Sequence, residues 1–283
     1  MKVLIAGATG MLGSAMFRRL AADPALEVTG TLRGAPEAYP ALATGGRLVG
    51  GVSIDSDAEV AALLSRHAPA VTINCVGERR QPANAGETAA LARVNAEWPH
   101  RLAALVAASG GRLVHFSTDG VFAGTRGGYR ESDAPDADDP YGRAKLAGEV
   151  TGAGCLTLRT SLIGHSLDRR SGLVDWLLAQ DGAVKGYTGA IFSGLPTVEL
   201  ADIVHRHILP NPELGGLYHV AAEPISKFEL LRRIARRYGS AVEVLPDDGI
   251  PIDRSLDSSR FRAATGYRPP DWDVLIDRMY LFG

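Results

Sequence analysis

Apolar and polar positions along this chain change period in a regular way. Val3-Leu4-Ile5-Ala6 is an unbroken apolar run, as in a strand covered on both faces, and Met11 to Ala22 follows it with helical spacing. Leu26 to Leu32 predicts a second strand and Arg47 to Val52 a short third. From Asp57 to His67 the apolar residues Val60, Leu63 and Leu64 fall at helical spacing. Ala70 to Val76 predicts a strand, Glu87 to Ser109 one long uninterrupted helix, and Arg112 to Ser117 another strand. Tyr141 to Val150 then predicts a helix and Leu156 to Thr160 a strand. Strands alternating with helices predict a doubly wound α/β fold with a parallel sheet.

Beyond Ser161 the pattern loosens. Helices are predicted at Leu173–Gln180, Val198–Ile208, Lys227–Tyr238 and Trp272–Tyr280, with short strands at Leu217–Ala221 and Val242–Leu245. The expected organisation is a Rossmann domain over 1–162 and a smaller α+β substrate-binding region over 163–283, part of 187–221 returning to the first. No repeat or low-complexity linker separates them, so close packing is expected.

Composition narrows the class. The 283 residues are 46% hydrophobic, enough for a large core, with a formal net charge of -2 and a pI near 6.4. No basic stripe suggests nucleic-acid binding, and no apolar run reaches the ~18 residues of a membrane span. A strand beginning at Lys2 leaves no room for a signal peptide, so a cytoplasmic location is expected. Cys75 and Cys155 sit in apolar runs and read as small buried hydrophobes; no metal spacing is present and no metal is expected. Lysine is scarce (Lys2, Lys145, Lys185, Lys227), which makes Lys145 stand out.

Between the first strand and first helix lies Gly7-Ala8-Thr9-Gly10-Met11-Leu12-Gly13. Glycines allow a tight turn and close approach of phosphates, and the helix start offers free N–H groups and a positive dipole end, so a dinucleotide diphosphate fits here. The spacing Gly-x-x-Gly-x-x-Gly is one residue wider than the ordinary dinucleotide fingerprint. After the second strand comes Thr31-Leu32-Arg33-Gly34. An acidic residue there would favour NAD; Arg33 is instead placed to meet a 2′-phosphate, which favours NADP(H), unless Arg33 is simply a solvated loop charge.

The reactive end reads from two motifs. In Tyr141-Gly142-Arg143-Ala144-Lys145 the phenol and ammonium fall on one helix face, and the ammonium makes the phenol a better proton donor to a carbonyl. Upstream, Ser117-Thr118-Asp119 ends a predicted strand, where ligands of parallel sheets bind, and a hydroxyl there can stabilise a developing oxyanion.

With these residues the sequence resembles the extended short-chain dehydrogenase/reductases, and within them the dTDP-4-dehydrorhamnose reductase family. The resemblance runs over nearly the whole chain. It is carried by Gly7 to Gly13, Ile73-Asn74, Val94-Asn95-Ala96, Ser117-Thr118-Asp119, Val121-Phe122 and the run Tyr141 to Glu149. Weaker pieces follow in the family's order: Leu158 to Ser161, Pro196-Thr197, Tyr218-His219 and Ser255-Leu256-Asp257. It implies a catalytic set of Thr118, Tyr141 and Lys145, with NAD(P)H delivering hydride to the C4 keto carbon of a nucleotide sugar. The implied cofactor-binding set is Gly7, Thr9, Gly10, Met11, Leu12, Gly13, Arg33, Asn74, Val76, Gly77, Asn95 and Ser117, together with Tyr141 and Lys145. Thr118, Asp119 and Arg254 are the implied substrate contacts, and a homodimer is compatible with the reading.

Three departures flank the expected sugar pocket. Gly120 and Leu162 stand where the family often has aromatics, and Val76-Gly77-Glu78-Arg79-Arg80-Gln81 replaces a loop of small residues and Thr. Arg79 and Arg80 are candidates for a phosphate or a charged sugar, or are solvated arginines. The chemistry stands and the identity of the sugar is open. Two alternatives remain: a nucleotide-sugar epimerase or dehydratase on the same scaffold, and a non-catalytic NADP-binding subunit, since the regulatory subunit of methionine adenosyltransferase is similar to the same family.

Overall fold

A computed structural model describes residues 1–43, 45–78 and 85–283. Six strands come from the first 159 residues: β1 (Lys2–Ala6), β2 (Glu27–Thr31), β3 (Arg47–Val49), β4 (Val71–Asn74), β5 (Arg112–Ser117) and β6 (Cys155–Arg159). The later strands are β7 (Leu162–Ile163), β8 (Ala183–Tyr187), β9 (Ala190–Phe192), β10 (Leu195–Pro196), β11 (Gly216–His219), β12 (Ile225–Ser226), β13 (Glu243–Asp247) and β14 (Ile252–Asp253). The helices are α1 (Met11–Ala21), α2 (Asp57–His67), α3 (Ala85–Leu91), α4 (Trp98–Ala108), α5 (Pro140–Ala147), α6 (Leu173–Leu178), α7 (Thr197–Ile203), α8 (Lys227–Tyr238), α9 (Ser259–Thr265) and α10 (Trp272–Phe282).

The main sheet has seven strands in the order β3-β2-β1-β4-β5-β6-β11, every pair parallel. This is the doubly wound α/β arrangement expected from the alternation of elements, and it reverses direction of winding between β1 and β4. The seventh strand is supplied by residues 216–219, which pair with β6 after the chain has left the sheet and returned. Three small sheets, β7 with β10, β9 with β12 and β14, and β8 with β13, form from the later half.

Alternation along β1 explains how both faces are covered. Val3 and Ile5 join a large core with Phe17, Leu158, Leu200 and Ile276. Leu4 and Ala6 point the other way, into a core with Leu63, Trp98, Leu102 and Leu113. The larger core runs continuously from the sheet into α8 and α10, through Leu230, Ile234 and Leu275.

Local chemistry sets the helix ends. The Ser56 side chain accepts from Glu59 N–H, and Ser226 does the same for Glu229, so α2 and α8 each open on a Ser with Glu three residues on. Their ends are left-handed residues, Ala68 and Gly239.

The long helix predicted from Glu87 to Ser109 is not regular. A π-helical turn, Ala92–Glu97, separates α3 from α4, with the Trp98 N–H donating to the Arg93 carbonyl five residues back. Pro99 is the physical reason. It has no N–H to give to the carbonyl of Asn95, so the ordinary ladder fails there. That carbonyl lies instead against Gly148, where any side chain would overlap it. The predicted helix Val198–Ile208 likewise ends its α-helical part at Ile203 and continues as a π turn, Val204–Ile208.

Candidate active site

The glycine turn has the shape a phosphate needs. Gly7 has φ +83, in the left-handed region, and a Cβ on Gly13 would overlap the carbonyl oxygen of Gly7. Gly10 precedes α1 with no side-chain cap, so the first N–H groups of the helix keep their outward direction. Gly7, Thr9, Gly10, Arg33, Val76 and Gly77 line one cleft of about 210 Å³ along the carboxyl ends of β1, β2 and β4.

Other predicted cofactor residues stand behind this wall. Asn74 is buried; its Oδ1 accepts from the Val76 N–H and the Trp98 indole, both at 3.2 Å. Its amide donates to Nδ1 of His115 at 3.1 Å, which leaves the ring proton on Nε2. Burial, with help from the Lys145 charge, holds His115 well below the ordinary histidine range. Asn95 clamps the backbone of Glu78 in both directions at 2.9 Å. Asn74 and Asn95 therefore shape the segment carrying Val76 and Gly77. Leu12 is in the core, and Met11 faces Gly172. The Ser117 hydroxyl donates to Glu149 at 2.7 Å.

A second pocket, of about 280 Å³, lies at the end of β5 and contains Thr118, Asp119, Tyr141 and Arg254. Asp139 and Pro140 fix the start of α5: the Asp139 side chain accepts from Gly142 N–H at 3.0 Å, and Pro140 occupies the first turn where its missing N–H costs nothing. Tyr141 is thereby set in the first turn and Lys145 one turn further in. Lys145 is 6% exposed and donates to the Phe116 carbonyl at 2.6 Å. Burial pushes its ammonium down to about 8, and Glu149 pulls in the opposite direction. The Thr118 hydroxyl accepts from Gly120 N–H at 3.0 Å and donates to Asp119 at 3.2 Å. Burial raises the Asp119 carboxyl, opposed by hydrogen bonds from Thr118 and Ser161 and by the charges of Arg254 and Lys227.

Several of these walls were not foreseen. Ser53, Asp55 and Arg93 line the cofactor cleft, and Arg93 grips both oxygens of Asp55 at 2.8 and 2.7 Å. Ser161, Ile191, Phe192 and Lys227 line the second pocket. The scarcity of lysine marked Lys227 as much as Lys145. Gly120 does face this pocket, but Leu162 is not among its lining; it belongs to β7 and packs on the large core. Phe192 supplies an aromatic wall from β9 instead. Arg254 donates to the Phe122 carbonyl at 2.7 Å. Arg79, Arg80 and Gln81 lie outside the described residues.

The family described as RmlD substrate binding domain matches residues 1–280 by its sequence profile. The chain belongs to this family. Methionine adenosyltransferase 2 subunit beta of Bos taurus is 32% identical over 99% of this chain and 90% of its own length. A dTDP-4-keto-6-deoxy-D-glucose reductase of Streptomyces niveus is 37% identical over 52% of this chain and 45% of its own. The fold is that of dTDP-4-dehydrorhamnose reductase from Bacillus anthracis, solved in complex with NADP. That structure has a TM-score of 0.82 and 22% identity, covering 99% of this chain and 98% of the other. The resemblance read from the motifs, and the extended short-chain dehydrogenase/reductase fold it implied, are those of this RmlD family.

Proposed function

We propose that the protein reduces the C4 keto group of a nucleotide-diphospho-sugar with NADPH. The observation that carries this reading is the lining of one pocket by Thr118, Tyr141, Lys227 and Arg254. A hydroxyl, a phenol and two cations suit a carbonyl that must be protonated and a diphosphate that must be held.

The residues present fit the cofactor. A Cβ at Gly13 would close the turn against Gly7, and Arg33 lines the same cleft with no carboxylate at the end of β2 to repel a 2′-phosphate. NADPH supplies the hydride when bound. Thr118 binds the keto oxygen, Tyr141 gives it a proton as the alcohol forms, and the Lys145 ammonium keeps the phenol acidic. Burial lowers the Lys145 ammonium only to about 8, which leaves it largely charged at neutral pH. A cytoplasmic location belongs to the same reading, and no helix among the described residues is long and apolar enough to cross a membrane.

The departure at Gly120, with the aromatic wall moved to Phe192, favours a sugar other than the 4-keto precursor of rhamnose. The deciding experiment follows NADPH consumption with dTDP-4-dehydrorhamnose and with UDP-, GDP- and CDP-linked keto sugars. Oxidation with one of these at a rate typical of an enzyme supports the proposal; none with any of them overturns it.

A second reading has its own support. The relatives matched over nearly the whole chain are named as subunits of methionine adenosyltransferase. On this reading the chain binds NADP and a partner protein without turnover. Tight binding to an adenosyltransferase catalytic subunit, together with a silent keto-sugar panel, would establish it.

A further inference from the structure

Two residues past the end of α5, Glu149 is held by three hydrogen bonds although its side chain is only 9% exposed. Oε1 accepts from the Ser117 hydroxyl and from Arg159 Nε, both at 2.7 Å, and Oε2 accepts from Arg159 Nη2 at 2.8 Å. Arg159 comes from β6, and its side chain is 4% exposed. Behind it His219 donates from Nδ1 to the Tyr129 carbonyl at 3.0 Å and turns Nε2 toward Arg159 Nη1 at 3.4 Å. Burial, then the Arg159 charge, pushes His219 down to about 4, so its ring is neutral and accepts.

A buried ion pair is weak evidence for stability, because desolvation offsets most of the attraction. The position of this one points to another use. Lys145 holds the carbonyl of Phe116 and Glu149 holds the hydroxyl of Ser117, so α5 and the residues just beyond it grip two successive residues of β5. The next residue is Thr118, and the other end of α5 carries Tyr141. We propose that Glu149, braced by Arg159, is a positioning residue that registers α5 against the end of β5 and sets its carboxylate beside the Lys145 anchor point. The role presumes the reductase reading above, in which Tyr141 depends on the Lys145 ammonium.

Among the described residues, the titratable and charged groups around Lys145 are few. Tyr141 stands on its own helix and Glu149 just beyond it. His115 approaches from β5, held neutral by burial. Arg159 stands behind Glu149 on β6, and His100 of α4 donates to the Ala147 carbonyl at 2.7 Å. Among these, Glu149 favours the charged lysine, and the Arg159 cation, paired with Glu149 at 2.7 Å, offsets part of that negative charge. Removing one or the other should move Lys145 in opposite directions, which a purely structural pair would not do.

The test uses the whole protein labelled at lysine, whose four side chains give four NMR titrations, with Lys145 assigned by Lys145→Arg. Glu149→Gln keeps the shape and loses the charge; the Lys145 midpoint should fall by about one pH unit or more, and the high-pH limb of turnover should fall with it. A midpoint within about 0.2 pH unit of the wild type overturns the proposal. Because Glu149→Gln leaves Arg159 buried without its counter-charge, it can fail to fold. Arg159→Gln, which leaves Glu149 the Ser117 hydroxyl as a partner, then carries the test with the opposite sign: the Lys145 midpoint should rise, and no change or a fall overturns the proposal. The titration needs no sugar. Opposite shifts in a protein that reduces no keto sugar would therefore remove the reductase reading and leave this one standing.

Discussion

The Lys145 ammonium donates to the main-chain carbonyl of Phe116 at 2.6 Å, a buried charge set on a neutral partner. Burial lowers it from 10.5 to about 8. Between those values the unfolded chain binds more protons than the native one, so stability should rise as pH climbs from about 8 to about 10.5. Below about 8 the lysine is charged in both states, and the native state bears the full penalty. Lys145→Met should abolish turnover yet stabilise the fold at neutral pH, by roughly 3 kcal/mol at most. Denaturant midpoints at neutral pH and above pH 10.5 check this. If the variant gains no more at neutral pH than at high pH, the lysine does not strain the fold.

Tyr141 is set in the first turn of α5 and lines the pocket with Thr118. Tyr141→Phe should keep the fold and the cofactor affinity and reduce turnover by ~100-fold or more, the scale of general acid catalysis. Single-turnover rates with a reactive keto sugar provide the measurement, and wild-type rates would remove Tyr141 as the proton donor.

Arg33 lines the cofactor cleft at the end of β2. A charge-assisted hydrogen bond to a 2′-phosphate contributes on the order of 1.5–3 kcal/mol, or roughly one to two powers of ten in affinity. Arg33→Ala should therefore weaken NADPH and leave NADH nearly unchanged in fluorescence titrations. Equal losses for the two cofactors would assign the discrimination elsewhere, with Arg93 across the cleft the next residue to vary.

Gly13 faces the carbonyl oxygen of Gly7 so closely that a Cβ would overlap it. Gly13→Ala should push α1 away from the turn, lowering NADPH affinity by about tenfold or more and stability by about 1–3 kcal/mol. Calorimetric binding together with thermal melts would read both effects. Unchanged affinity would mean that the turn adapts without moving the N–H groups.

Within the candidate site, the legible parts were those whose chemistry is local. Asp139-Pro140 before Tyr141 starts a helix by itself, and Tyr141 and Lys145 share its face. Gly7 to Gly13 form a turn in which the demand on Gly13 comes from the turn's own backbone, at Gly7 and Ala8. The π turn at Ala92–Glu97 also had a local signal, Pro99, which the helical periodicity on either side concealed. Arg93 and Asp55 had none: they are 38 residues apart and meet only because the π turn after α3 and the loop leading into α2 flank one cleft. Leu162 misled for the same reason, since nothing beside it in the chain says whether it faces a sugar or the core.

The sequence by itself determined the alternation of strands and helices, the glycine turn and the Tyr-Lys spacing, because each depends on residues within a turn or two of one another. Tertiary structure alone decided which strand stands beside which. It brought residues 216–219 back beside β6, put Lys227 opposite Asp119, and closed the Glu149–Arg159 pair behind Ser117. Those contacts join separate elements of the fold, most of them distant along the chain. Burial of two sheet faces selects them, and burial is a property of the whole chain rather than of any stretch of it.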